Sequence, residues 1–392
     1  VVLVLPEDVL SLSYDRPLPQ PFPSAHTATS LKDAERLGQM LSRANRPLVI
    51  AGGLFRGARG ARILKQFAET HQVPVAAAWK NQDVFDNSSP LYAGHLGFGT
   101  PPMLRETLER ADLVIAAGTR LGDVASVNYT FPQAPEPKQP LVHIYPDAWP
   151  IGRVFHTELG IVADPVDLLE MVPAPTAISH LRKGWIGEIS AFISHFMTFK
   201  SPEPKDGVDF GSVIMAIAES APRDAVIITD SGNISTWVHR HWKMTPSNLL
   251  LGTIGGAMGF GVPGGVVCGL VQKDRMGIVF VGDGGILMTG QELATAMQHG
   301  AKPKIVLSDN GSYGTIRQHQ EKHFPQRVLG TRLENPDFSL WAKSFGAHVV
   351  TIQLGDDVRS KVREALGHDG ASVLHVKSSL EAISAFATIR TS

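Results

Sequence analysis

The chain has 392 residues, enough for two or three domains of ordinary size. Its 36 lysines and arginines against 37 aspartates and glutamates leave a net charge of −1, so no basic field exists to hold nucleic acid or a lipid surface. A single cysteine, Cys268, excludes an intramolecular disulfide and fits a reducing, cytoplasmic compartment; no apolar stretch approaches the length of a membrane span.

The opening Val1-Val2-Leu3-Val4-Leu5-Pro6 reads as the last strand of a domain that would precede this chain. It has no initiator methionine, and it lacks the basic region and apolar length of a signal peptide. Pro17, Pro19, Pro21 and Pro23 mark an extended linker ending near Ser24 to Thr29. An apolar stripe at Leu37, Met40 and Leu41 predicts a helix from about Leu31 to Ala44. The strand Pro47–Ala51 runs into Gly52-Gly53. Further strands are predicted at Val73–Ala78, Leu113–Ala117 and Leu141–Tyr145, with helical segments between the earlier ones. That alternation predicts a parallel sheet in a Rossmann-like domain over 31–170. From 171 to 205 the pattern loosens into a helix flanked by prolines, which reads as a connector.

A second alternating unit occupies 206–392. Its predicted strands are Ala225–Thr229, Gly277–Val281, Ile305–Leu307, His348–Ile352 and Ser372–Val376. The fold class is therefore α/β, with two doubly wound parallel-sheet domains. The densest glycine run, 254–265, lets a helix begin against a ligand or pack closely on a sheet, and one segment can do both.

Within this unit the apolar run Met276–Val281 ends at Gly282-Asp283-Gly284. A helix is predicted over Met288–His299. The strand Lys304–Leu307 then leads into Ser308-Asp309-Asn310-Gly311-Ser312-Tyr313-Gly314. A right-handed crossover brings Asp283 and Asn310 to the same edge of two parallel strands, the edge where open α/β sheets bind ligands. A carboxylate and an amide oxygen converging there suit a hard cation such as Mg²⁺. The adjoining glycines let the backbone approach a bulky anion. The 15 histidines offer no rival metal site: His319 and His323 share a helix face, but His-Gln-Glu-Lys-His lacks the zincin order.

Gly-Asp-Gly occurs in many turns. Together with its spacing to the Asp-Asn-Gly-Ser-Tyr-Gly run, it resembles the thiamine diphosphate motif of the acetolactate synthase, pyruvate oxidase and 2-oxo acid decarboxylase superfamily. Gly256-Ala257-Met258-Gly259-Phe260-Gly261-Val262-Pro263 and Gln291-Glu292-Leu293-Ala294-Thr295-Ala296 follow the same family's pattern. The resemblance covers essentially the whole chain. It makes 1–30 the end of a pyrimidine-binding domain with its linker, 31–170 the central domain, and 206–392 the diphosphate-binding domain.

Carried over, the resemblance implies that Asp283, Asn310 and the Ser312 carbonyl hold Mg²⁺. Gly232, Asn233, Gly256, Gly284, Gly285, Tyr313 and Gly314 would surround the diphosphate. Met258 would lie under the cofactor rings and bend them, core packing being its other reading. The implied activity is decarboxylation and carboligation of a 2-oxo acid, as in acetolactate synthase. The alternative is simple decarboxylation of the benzoylformate type, releasing an aldehyde. A non-catalytic nucleotide-binding module is a third reading, although Gly52-Gly53-Leu54-Phe55-Arg56-Gly57 is no clean dinucleotide fingerprint. In the family the activating glutamate comes from the pyrimidine-binding domain of a partner subunit. A homodimer or homotetramer is therefore implied, and this chain by itself is expected to be inactive.

Two departures from the pattern stand out. Gly118-Thr119-Arg120 matches the turn that touches FAD in acetolactate synthases. However, Tyr145 replaces the first acid of the following strand end, in His143-Ile144-Tyr145-Pro146-Asp147, and Gly97-Phe98-Gly99 replaces a Gly-Met-His-Gly element. Both count against FAD. His319 stands where acetolactate synthases tend to carry tryptophan. With Arg317 it would favour a more polar or anionic acceptor; the bland reading leaves both in solvent.

Overall fold

The computed structural model describes residues 2–23 and 27–389. Two parallel sheets of six strands each form its frame. The first contains β1 (Pro47–Ala51), β2 (Val75–Ala77), β3 (Tyr92–His95), β4 (Leu113–Ala117), β5 (Leu141–Tyr145) and β6 (Leu159–Val162), in the order β3-β2-β1-β4-β5-β6. The second contains β7 (Val226–Thr229), β8 (Leu249–Leu251), β9 (Gly277–Gly282), β10 (Lys304–Asp309), β11 (His348–Ile352) and β12 (Ser372–Lys377), in the order β11-β12-β10-β9-β7-β8. β1 and β4 are buried along their whole length, as parallel strands must be when helices cover both faces. The strand order reverses between β1 and β4 in one sheet and between β7 and β9 in the other, and each reversal leaves a crevice at the carboxyl ends of the strands.

The two doubly wound sheets agree with the sequence reading, with informative exceptions. Residues 2–5 are exposed and form no strand, and Glu7–Leu10 forms one helical turn. The proline-rich stretch through Pro23 is exposed, whereas residues 24–26, within the expected end of the linker, lie outside the described residues. The helix expected over Met288–His299 is three pieces: a helix Asp283–Thr289, a 3₁₀ turn Gly290–Glu292 and a helix Leu293–His299. The break falls where Gly290 meets Trp341; a Cβ there would lie 2.8 Å from its ring. Short strands β3, β6 and β8 were not expected.

The connector is the helix Leu181–Met197, which seats Trp185, Ile189 and Ile193 in the core of the first sheet. Across the domain boundary, the Asp83 carboxylate accepts the backbone N–H of Leu250 at 3.0 Å, and Lys80 Nζ donates to the Thr253 carbonyl at 2.8 Å. These bonds tie the central domain to the chain that leads into the glycine-rich run. Among the described residues no helix is long and apolar enough to cross a membrane.

Candidate cofactor site

The crevice between β7 and β9 opens into a cleft of about 270 Å³. Three helices start at its wall: Ile234–His241, Asp283–Thr289 and Gly314–His323. Their N-caps are Asn233, Gly282 and Tyr313, and none places a side chain on the first-turn N–H groups. The N-termini turn the positive ends of three helix dipoles toward one cleft, an arrangement that favours an anion, although the Gly284 N–H is already taken by the Asp283 carboxylate and those of Ser235 and Thr236 by the Gly232 and Asn233 carbonyls.

The strand-turn-helix logic places Asp283 and Asn310 as expected, at the ends of β9 and β10. Asp283 begins its helix rather than a turn, and it is 3% exposed. Its Oδ1 accepts the Gly284 N–H at 2.9 Å; Oδ2 accepts the Gly311 N–H at 2.8 Å and Asn335 Nδ2 at 2.9 Å. Burial raises its pKa, against the lowering effect of these donors. Asn310 Oδ1 accepts the Ser312 N–H at 3.1 Å, and Ser312 is buried with its hydroxyl on the Thr331 carbonyl. Among the described residues, no group of three or more His, Cys, Asp or Glu side chains could hold a metal ion. A cation at this edge would therefore draw on one carboxylate together with amide and carbonyl oxygens.

The glycines divide by role. A Cβ on Gly284 would meet the Tyr313 ring at 2.5 Å, with Met258 Cε at 3.4 Å, so Gly284, Tyr313 and Met258 form one contact at the cleft wall. Gly256 has open space above it and a φ of +76°, and Gly232 holds a φ of +122°, both backbone states that favour glycine. Gly285 also lines the cleft, yet its tightest neighbour is Asp230 Oδ2, 2.9 Å from a would-be Cβ. Gly314 opens its helix beside Asn310 and Asn233. The Asn233 side chain is committed to its neighbours: Nδ2 donates to Gln318 and the Ile383 carbonyl, and Oδ1 accepts from Thr315.

Arg317 and His319 are not among the cleft-lining residues. Arg317 pairs with Glu321 one turn on, at 2.7 Å, and His319 is exposed and stacked on His323. Three residues the sequence reading passed over complete the site. Asp230, at the end of β7, accepts the N–H groups of Ser231, Gly259 and Gly261 and so folds the glycine-rich run onto the sheet. Asn335 bridges Asp283 and Asp309. Burial alone would raise the pKa of Asp309, but His375, Lys377 and Asn335 hold it down at about 2. An acid directly after an apolar strand was the available signal for Asp230; none marked Asn335.

The description "Thiamine pyrophosphate enzyme, central domain" matches residues 34–172, and "Thiamine pyrophosphate enzyme, C-terminal TPP binding domain" matches 230–376. Over 347 residues the chain is 28% identical to the acetolactate synthase isozyme 2 large subunit of Escherichia coli (strain K12), covering 88% of this chain and 62% of that protein. It is 29% identical over 371 residues to the acetolactate synthase large subunit of Lactococcus lactis subsp. lactis (strain IL1403), covering 92% and 64%. A putative thiamine pyrophosphate-containing protein, YdaP, of Bacillus subtilis (strain 168) is 26% identical over 355 residues, covering 86% and 58%. The chain thus spans less than two thirds of the length of each of these relatives. With the cleft at the sheet reversal, one domain match over the first sheet and the other over all of the second but β7, the chain belongs to the thiamine pyrophosphate enzymes, related to the acetolactate synthases.

Proposed function

We propose that the protein carrying this chain decarboxylates a 2-oxo acid and joins the product to a second carbonyl compound, using thiamine diphosphate and Mg²⁺. The observation that carries this reading is the convergence of three helix N-termini on one cleft edged by Asp283 and Asn310. When bound, thiamine diphosphate supplies the carbanion chemistry that breaks the bond between the carboxylate and the carbonyl carbon.

The residues present fit that group. The helix starts that follow Gly232, Gly282 and Tyr313 would receive a diphosphate, and Gly256 leaves space where a side chain would intrude. Asp283, Asn310 and the Ser312 carbonyl would hold the cation that neutralises it. Met258, against Gly284, supports the cofactor rings from the cleft wall. Trp237, Ile234 and Ile383 line the same cleft, keeping water from its apolar part. FAD in the central domain is doubtful on this reading: Arg120 donates to the Tyr145 hydroxyl at 3.2 Å, engaging the turn with the residue that replaces the expected acid.

A second subunit belongs to this reading. The helix Gly261–Val271 is apolar on every side, which ordinarily means full burial, yet Val267 is 55% and Val271 67% exposed. Leu287 and Met288 add to the exposed apolar surface. A homodimer or homotetramer that covers this surface would also bring the activating glutamate of a partner to the cleft.

The test uses the full-length protein with pyruvate, thiamine diphosphate and Mg²⁺, measuring acetolactate and acetaldehyde together. Acetolactate in excess supports carboligation; acetaldehyde in excess favours simple decarboxylation. Calorimetry of cofactor binding by Asp283→Ala and Asn310→Ala tests the site itself. Normal Mg²⁺-dependent binding in either variant would reject the assignment.

A further inference from the structure

A carboxylate oxygen has two lone-pair directions, so Asp283 offers four acceptor positions in all. Oδ2 spends both of its positions on the Gly311 N–H and on Asn335 Nδ2. Among the described residues Oδ1 accepts a single bond, from the Gly284 N–H. One position on Oδ1 is what remains for a cation.

Asn335 is locked in the orientation that produces this result. Its Nδ2 donates to Asp283 Oδ2 at 2.9 Å and to Asp309 Oδ1 at 2.8 Å. Turning the amide over would aim its oxygen at two carboxylates. That oxygen is buried without a hydrogen-bond partner, a cost the structure accepts to keep the nitrogen between the acids. Asp309 is itself fixed by His375 Nε2 at 2.8 Å and Lys377 Nζ at 2.6 Å, and His375 Nδ1 bonds Ser339 at 2.9 Å. The amide is thus held from β12 and from the helix Phe338–Ser344, neither of which touches the cleft through these groups.

We propose that Asn335 determines which divalent cation the site takes, by occupying Oδ2 and confining Asp283 to one-point coordination through Oδ1. Mg²⁺ takes few carboxylate oxygens in a strict octahedron, whereas Ca²⁺ is larger and readily accepts both oxygens of one carboxylate. A site denied the second oxygen selects the smaller ion. The inference rests on the reading of Asp283 as a metal ligand and adds a residue that acts through it, so Asn335 is a positioning residue.

The test measures apparent Mg²⁺ and Ca²⁺ affinities by calorimetry on the full-length protein at saturating thiamine diphosphate. Asn335→Leu keeps the branched shape, with some added bulk, and removes the donor; Asn335→Ala is the second variant, should the first not fold. A thermal melt without metal checks that the fold is retained. The expected result is a fall of about tenfold in the preference for Mg²⁺ over Ca²⁺, chiefly through tighter Ca²⁺ binding. An unchanged preference in a folded variant overturns the inference. Asp283→Ala separates the two levels. If it loses metal-dependent cofactor binding while the Asn335 variants keep the wild-type preference, the site reading stands and this inference fails. If Asp283→Ala binds normally, both fail.

Discussion

Tyr313 lies so close over Gly284 that a single added carbon on Gly284 would sit 2.5 Å from the ring. The two residues come from different helix N-termini, and their contact sets the spacing between two of the helix starts that edge the cleft. Gly284→Ala must push the ring, and with it the start of the helix Gly314–His323. Thiamine diphosphate affinity is expected to fall about tenfold or more, equivalent to about 1.4 kcal/mol. Calorimetry with Mg²⁺ held in excess measures this, and wild-type affinity in a folded variant would show that the ring yields without cost.

Asp83 couples the central domain to the cleft. Its side chain is 1% exposed, accepts from Arg56 at 2.9 Å and takes the Leu250 N–H at 3.0 Å. Removing it leaves the Leu250 N–H and Arg56 Nε without their acceptor, while Arg56 Nη2 keeps the Lys80 and Leu250 carbonyls. Asp83→Ala is expected to destabilise the protein by about 2–4 kcal/mol. Because β8 leads into 252–258, hydrogen exchange in that segment should rise together with the loss in melting temperature. A lower melting temperature with unchanged exchange there would confine the effect to the central domain.

Much of the frame was legible because parallel strands covered on both faces are written as continuous apolar runs, as in Leu113–Ala117 and Gly277–Val281. Asp283 and Asn310 were legible for the same reason: each closes such a run. β8 has three residues and β3 contains Gly94 and His95, so neither carries a pattern long enough to read. The break at Gly290 depends on Trp341, and the setting of Asp283 depends on Asn335. Both partners arrive from far along the chain, through packing that no local pattern records.

Arg182 is another such residue. In Ser179-His180-Leu181-Arg182-Lys183 it reads as part of a solvated helix start, but it is 2% exposed. Its guanidinium donates to the carbonyls of Leu41, Ala44 and His71, closing the C-terminal ends of two helices of the central domain. Arg182→Met keeps much of the packing and removes the side-chain donor from the Ala44 and His71 carbonyls, while the Leu41 carbonyl keeps the Ala44 N–H. A loss of about 2–4 kcal/mol is expected, read as a lower denaturation midpoint. Lys183→Met beside it is the control, and equal effects of the two would refute the capping role.

His95 and His239 meet in the interface between the domains, ring centroids 5.7 Å apart, against Trp79. The Nε2 atoms of both are buried without partners, while His239 Nδ1 bonds Gln82 at 2.8 Å. Burial lowers the pKa of His95 from 6.5 to about 4; burial, then His95 and Lys80, lower that of His239 well below 6.5. Between pH 6.5 and 4 the unfolded chain therefore binds protons that the folded protein refuses, and stability falls as the pH falls through that window. At 1.36 kcal/mol per unit, His95 accounts for about 3 kcal/mol of loss by pH 4. Well above pH 6.5, once the unfolded chain has also lost these protons, both rings are neutral in either state and contribute no slope. His95→Phe keeps a ring against Trp79 and removes the titrating group, so its melting temperature should decline less steeply below pH 6.5 than that of the wild type. His71 and His241, also held near 4 by burial, leave a residual slope in the variant. Parallel curves for the two proteins would show that the His95 ring is not carrying the acid sensitivity of the domain interface.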